Sequence, residues 1–156
     1  MKYQLAQINI AKIIAPLDNP VMKDFVDNLD RINDLAETSE GFIWRLKDES
    51  NSATNLRVFD DDMIIVNMSV WNDIDSLMNY VYKTDHAIFL RRRKEWFEKM
   101  PDAFMALWYV PEGSTPSVAD AVVRLEYLKA HGETPYAFTF RKKYLPEEAG
   151  LFNREL

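Results

Sequence analysis

The sequence predicts an α+β domain in which an antiparallel sheet carries helices on one face, and three observations lead there. The run MIIVNMSVW, residues 63 to 71, alternates so that Ile64, Val66, Met68 and Val70 form one wholly apolar face. Its other face holds Ile65, Asn67, Ser69 and Trp71. Stretches with apolar residues at three- and four-residue steps separate this run from other alternating runs, as amphipathic helices between strands would. The elements follow in the order β-α-β-β-α-β, with further helical material after them.

Taken in order, YQLAQINI (residues 3 to 10) places Ala6, Ile8 and Ile10 on one face and Gln7 and Asn9 on the other, which makes it the first strand. Asn19 followed by Pro20 supplies an N-cap and a first-turn proline. A helix with Met22, Phe25, Val26, Leu29, Ile32, Leu35 and Ala36 on one stripe is expected to run from there to about Glu37. Gly41 opens FIWRL, a short strand with Phe42, Trp44 and Leu46 on one side and Ile43 and Arg45 on the other. Lys47 to Asp62, rich in Asp, Asn and Ser, is a connection with room for a short extra strand at Asn55 to Phe59. After the 63 to 71 strand, Asn72 and Asp73 cap a helix carrying Ile74, Leu77, Met78 and Val81. Thr84 or Asp85 then caps a second, with His86, Phe89, Leu90, Arg93, Phe97 and Met100, which Pro101 stops. AFMALWYV, residues 103 to 110, is the fourth strand. A last helix starts at Thr115 and Pro116, turns Val118, Val122, Leu125 and Leu128 inward, and stops at Gly132. PYAFTFRKKY has the pattern of one more short strand, and from Leu145 onward the chain reads as a frayed tail. The expected organisation is therefore one domain over 1–144 with an added C-terminal helix, then a tail over 145–156.

Composition narrows the chemistry. With no cysteine, the chain has no disulfide, no thiolate metal site and no thiol nucleophile. Nineteen basic residues against twenty-five acidic give a net charge of −6, which opposes binding to nucleic acid or to an anionic membrane. No stretch approaches the ~20 apolar residues of a membrane span, and MKYQLAQINI lacks the features of a signal peptide, so a cytoplasmic location is expected. Aromatic residues reach 13%, which fits a lined pocket or an interface as well as a core of large side chains. Phosphate loop, dinucleotide fingerprint and nucleophile elbow are all absent.

The element order matches a ferredoxin-like unit, whose second sheet face is left bare. Trp44, Ile65, Trp71 and Trp108, if exposed there, would form a large apolar patch that a second copy of the chain is expected to cover. The runs YQLAQINIAKI, GFIWRL, NMSVW, YVYKTDHAIFLRRRKEWF and LWYVPEG carry a more specific likeness. With them the chain resembles the dimeric α+β barrel superfamily, home of the antibiotic-biosynthesis monooxygenases and of small haem-degrading monooxygenases. It resembles more closely one uncharacterised bacterial family within that superfamily, and the likeness spans most of residues 3 to 140. The resemblance implies a homodimer and a pocket between sheet and helices. It also implies a cofactor-independent monooxygenase-like activity on a small apolar or aromatic compound, with no cofactor and no bound metal. A non-catalytic homodimer that binds a small molecule is the alternative, and a haem-binding or haem-degrading protein the third.

In such a pocket Asn9, Trp71 and His86 hold the catalytic places: an amide to hold an oxygen, an indole to restrain a flat substrate, and an imidazole to move a proton. Trp44, Asn67, Ser69, Trp108 and Arg93 are the candidate substrate-binding residues. Each has a plainer reading. Trp71 can plug the junction of helix and sheet, His86 can order a turn or ligate haem, and Arg93, on the side of Leu90 and Phe97, can pair with a buried acid. In the run Arg91 to Lys94, successive side chains stand ~100° apart, so the four cannot converge on one ligand. Arg91 with Glu95 and Lys94 with Glu98 read as a solvated, paired face. His131 suits a helix end, and Asp60 to Asp62 a solvated loop.

Overall fold

The computed structural model describes residues 1–48, 50–54 and 58–154. Its elements are β1 (Tyr3–Lys12), α1 (Lys23–Thr38), β2 (Phe42–Arg45), β3 (Ile64–Trp71), α2 (Ile74–Lys83), α3 (His86–Arg91), β4 (Met105–Pro111), α4 (Val118–His131) and α5 (Pro146–Phe152), with short 3-10 turns at Pro20–Met22 and Arg93–Glu95. The strands form one antiparallel sheet in the order β2-β3-β1-β4. That order, with its helical crossovers, is the ferredoxin-like arrangement. Among the described residues no helix is long and apolar enough to cross a membrane.

Helix starts follow the local chemistry. Asn19 Oδ1 accepts from the Val21 N–H at 3.0 Å, and Asp73 Oδ1 accepts from the Ser76 N–H at 2.8 Å. Ser117 and Asp120 close a reciprocal capping box at the head of α4. Before β2 the chain must turn tightly against α2. Gly41 sits there at φ +84°, where a Cβ would lie 2.2 Å from Ser76 Oγ, so the position requires glycine.

Register decides what the two sheet faces do. Ala6 stands opposite both Val70 and Trp108, and Val70 opposite Trp44, so these four share a face. Leu5 stands opposite Trp71 and Tyr109, which puts those on the other face. The expectation that Trp44, Ile65, Trp71 and Trp108 line one face is therefore corrected: Trp44 and Trp108 lie on one side, Ile65 and Trp71 on the other. A bulge contributes, because Phe42 pairs with Trp71 while Trp44 pairs with the adjacent Val70. Ile43 is the extra residue, so Phe42 and Trp44 part to opposite faces.

Both faces are covered: the one expected to be bare, with Ile65 and Trp71, lies under α1 and α2, and the wholly apolar one lies under α4. Ala6, Ile8, Met68, Val70, Ala106 and Trp108 pack beneath Ala121, Leu125 and Leu128 of α4, and Trp108 is 1% exposed within a single chain. α4 thus supplies the apolar cover of the face that Trp44 and Trp108 share.

Other departures have local causes. The helix predicted to carry Phe89 through Met100 ends at Arg91 and tightens into the 3-10 turn at Arg93–Glu95. The angular step changes there, so Arg93, expected inward, is exposed. Arg92 instead donates to Asp24 and Glu95 and stacks over Trp96. PYAFTFRKKY forms no strand; single bridges tie Phe138 to Leu107 and Thr134 to Ala137. The supposed tail from Leu145 contains α5, whose Ala149 is buried against the α1 and α2 face. The extra strand expected at Asn55 to Phe59 lies in part outside the described residues.

Candidate functional site

The helix-covered face has two apolar clusters with a polar interval between them. One cluster joins Leu5, Trp71, Leu107 and Tyr109 to Ala36, Leu77 and Phe138. The other joins Ile13 and Ile65 to Met22 and Trp96, with Phe25 and Phe89 packed on it. Between them the face carries Gln7, Asn9, Asn67 and Ser69, the set that strand parity predicts, with Gln7 opposite Ser69 and Asn9 opposite Asn67. Leu29 and Ile32 of α1 and Leu90 of α3 are half-buried and join neither cluster. With Asn67 exposed and Asn9 half-buried, this interval is the open part of the face, polar with half-buried apolar side chains of α1 and α3 beside it, and is termed the cleft.

Hydrogen bonds order its floor. Gln7 Nε2 donates to Asn67 Oδ1 at 2.6 Å and to Ser69 Oγ at 2.9 Å. Trp71 Nε1 donates to the same Ser69 Oγ at 2.8 Å. Gln7 and Ser69 are each 6% exposed, whereas Asn67 is exposed and Asn9 half-buried. The Asn9 amide has no partner among the described residues, so one end of the network is fixed and the other remains free to bind.

A ladder of rings closes one wall. Tyr80 stacks on Trp71 with ring centroids 5.2 Å apart, and His86 lies 4.8 Å from the other side of the set, against Tyr80. The Tyr80 hydroxyl donates to the Ile32 carbonyl oxygen, tying α2 to α1, and burial pushes its pKa far above the usual phenol value. Tyr80 also borders a groove of about 440 Å³ lined by Ser39, Glu40, Asp73, Ser76 and Thr84. His86 Nδ1 donates to the Val81 carbonyl oxygen at 3.1 Å, which leaves Nε2 as the free lone pair. Burial lowers the His86 pKa more than that bond raises it, so the ring is neutral at pH 7.

Of the predicted catalytic residues, Trp71 and His86 meet through Tyr80, and Asn9, opposite Asn67 in register, shares the face of the Asn67–Gln7–Ser69 network without a hydrogen bond to it. Asn67 and Ser69 lie within it. Trp44, Trp108 and Arg93 do not: the first two are on the α4 side of the sheet and the third is on the surface. Tyr80 and Arg45 were not singled out from the sequence. Tyr80 follows Leu77 by three residues, a helical spacing that places it on the inward stripe, and Arg45 alternates with Trp44 and so faces the cleft. Among the described residues, no three His, Cys, Asp or Glu side chains are grouped to hold a metal ion.

The chain is thus an α+β domain with a ferredoxin-like sheet, one face of which carries a polar interval between two apolar clusters. The chain belongs to the family described as a domain of unknown function (DUF3291), which matches residues 4–152. No curated protein matches it in sequence. Among solved structures it is similar to a mutant of SnoaB, a cofactor-independent oxygenase from Streptomyces nogalater, at 13% identity and a TM-score of 0.47, over 72% of this chain and 95% of that one. A protein from Pseudomonas aeruginosa is similar at 14% identity and 0.47, over 73% and 98%. A protein of unknown function from Nitrosomonas europaea is similar at 12% and 0.47, over 74% and 96%.

Proposed function

We propose that the cleft binds a small, flat, largely aromatic compound and that the chain acts on it as a monooxygenase-like enzyme without a bound cofactor. The observation that carries this reading is the polar interval itself. Burying amides at the centre of a sheet face costs free energy unless they are satisfied, and here the network engages the Gln7 amide N–H and the Ser69 oxygen while leaving Asn67 exposed and Asn9 unpartnered. A floor that only filled space would have carried Val and Leu.

The chemistry available needs no metal when the substrate is a phenol. Neutral His86 takes the phenolic proton at Nε2, and an amide of Asn9 or Asn67 holds the oxyanion. The phenolate gives one electron to O2, and the resulting pair combines as a C–O bond at the para carbon. The peroxide so formed takes up the proton held by His86; removal of the hydrogen on the same carbon then breaks the O–O bond, and water leaves to give the quinone. For 1-naphthol the sum is 1-naphthol + O2 → 1,4-naphthoquinone + water, with atoms and electrons balanced.

Oxygen uptake with 1-naphthol, and with electron-rich quinols alongside it, is the test. Quinone formation that falls by about two orders of magnitude or more in His86→Ala and in Asn9→Ala supports the reading, that being the usual size of general-base and oxyanion contributions. One feature favours a second reading, a binder without turnover: two rings, Tyr80 and Trp71, stand between His86 and the Ser69 end of the floor. Saturable 1-naphthol binding with no oxygen uptake establishes that second reading.

A further inference from the structure

We infer that Arg45 makes the cleft favour anions, so that the flat aromatic compound it takes carries a carboxylate or an equally acidic group in addition to any phenol. The inference rests on the reading of the cleft as a binding site and adds the ligand's charge. Arg45 of β2 stands opposite Ser69 of β3, which stands opposite Gln7 of β1, so one row across the sheet runs guanidinium, hydroxyl, amide on the cleft face. Arg45 is 6% exposed, a position where an arginine normally has all its donors engaged.

Its donors are not all engaged. Nε donates to Glu37 Oε1 at 2.9 Å, and Nη2 donates to the Asn51 carbonyl oxygen and to Asn51 Oδ1, both at 2.8 Å. Nη1 has no acceptor among the described residues. Nor is it sealed, since no fully buried side-chain nitrogen or oxygen there lacks a partner. It therefore keeps some contact with solvent while the rest of the group is clamped. Asn51 makes the clamp at φ +66°, a left-handed conformation that an asparagine adopts at some cost. Such a clamp holds the guanidinium plane in place before any ligand arrives.

Charge points the same way. The Glu37 carboxylate is shared with Lys47 at 3.5 Å, so among these three groups two cations meet one carboxylate, in a chain whose net charge is −6. Ser69 accepts two hydrogen bonds, and its own O–H has no acceptor among the described residues. A carboxylate seated there receives Nη1 and the Ser69 hydroxyl, and its ring lies toward Trp71 and Tyr80.

The test compares 2-naphthoate with its neutral isostere 2-naphthamide by calorimetric titration at pH 7. The acid is expected to bind about tenfold more tightly than the amide, the size of a hydrogen bond to a charged group. Arg45→Met should bring the two affinities together by weakening the acid alone. Glu37→Gln, a change at a part-exposed side chain that frees more of the guanidinium, should tighten the acid severalfold and leave the amide unchanged. Equal binding of acid and amide by the unaltered protein overturns the inference and leaves the cleft standing. So does a preference that survives in Arg45→Met. If Arg45→Met fails to fold by circular dichroism, Glu37→Gln decides, and an unchanged acid affinity overturns the inference. If neither probe binds, the cleft reading and this inference fall together.

Discussion

Ser69→Ala removes the atom on which the cleft floor converges, and its cost can be worked from the contacts. Ser69 Oγ accepts from Gln7 Nε2 at 2.9 Å and from Trp71 Nε1 at 2.8 Å. Trp71 is 0% exposed and indole N–H is a donor only, so without Ser69 its hydrogen has no other partner among the described residues. Gln7 keeps its bond to Asn67 and loses the other. Each bond contributes about 0.5–1.5 kcal/mol net, and a stranded buried donor costs about 1–3 kcal/mol, so the sum is about 2–4 kcal/mol. For a chain of this length that corresponds to a fall in Tm of roughly 4–16 °C. Urea unfolding followed by circular dichroism and by tryptophan fluorescence reads it directly, with Ser69→Thr as the control that keeps the hydroxyl. A loss below about 0.5 kcal/mol with an unchanged urea slope would refute the reasoning, because it would mean that the two donors find other partners and the network is incidental.

Leu125→Ala should cost about 2–5 kcal/mol, since Leu125 is wholly buried between α4 and the sheet; a loss under 1 kcal/mol in the same unfolding assay would show that α4 does not cover that face. Gly41→Ala should destabilise by about 1–3 kcal/mol or more, from the left-handed backbone together with the close approach to Ser76, whereas Gly113→Ala, at φ +83° with open space around it, should cost less; equal losses would contradict the steric part. His86 has its pKa lowered by burial, so the unfolded chain binds the proton more tightly. The stability this gives is complete above the ordinary histidine pKa of about 6.5 and is lost as pH falls through the lower folded-state value. Urea midpoints measured from pH 7.5 down to 5 should therefore fall more steeply in the parent chain than in His86→Phe, and parallel curves would show that the imidazole is not buried neutral.

Much of the fold was legible because alternation and capping are local. The two faces of β3, the cap at Asn19, the cap at Asp73 and the shared face of Gln7, Asn9, Asn67 and Ser69 all follow from period and residue type. What was not legible is relational. Alternation tells which residues of one strand share a side, but the phase between strands is set by register, and the bulge at Ile43 reverses it inside β2. Trp44 and Trp108 were consequently assigned to the wrong side of the sheet relative to Trp71. The placement of α4 depends on which apolar face needs cover, a tertiary choice that an amphipathic stripe alone does not reveal. Arg93 was misread because a helical wheel assumes one continuous helix, and the chain tightens at Arg92. Tyr80 and Arg45 were passed over as an ordinary helix aromatic and an edge-strand cation; their importance lies in partners up to 48 residues away in sequence, such as the Ile32 carbonyl on which Tyr80 closes.

The indole N–H resonances of the four tryptophans offer the most direct measurement, because the sheet divides them. In a ¹⁵N-labelled sample titrated with 2-naphthoate, the Trp71 indole and the side-chain amides of Asn9 and Asn67 should shift together and saturate, while the Trp44 and Trp108 indoles on the α4 side stay in place. Movement of Trp108 with Trp71 unmoved would put the site on the wrong face of the sheet and contradict the cleft.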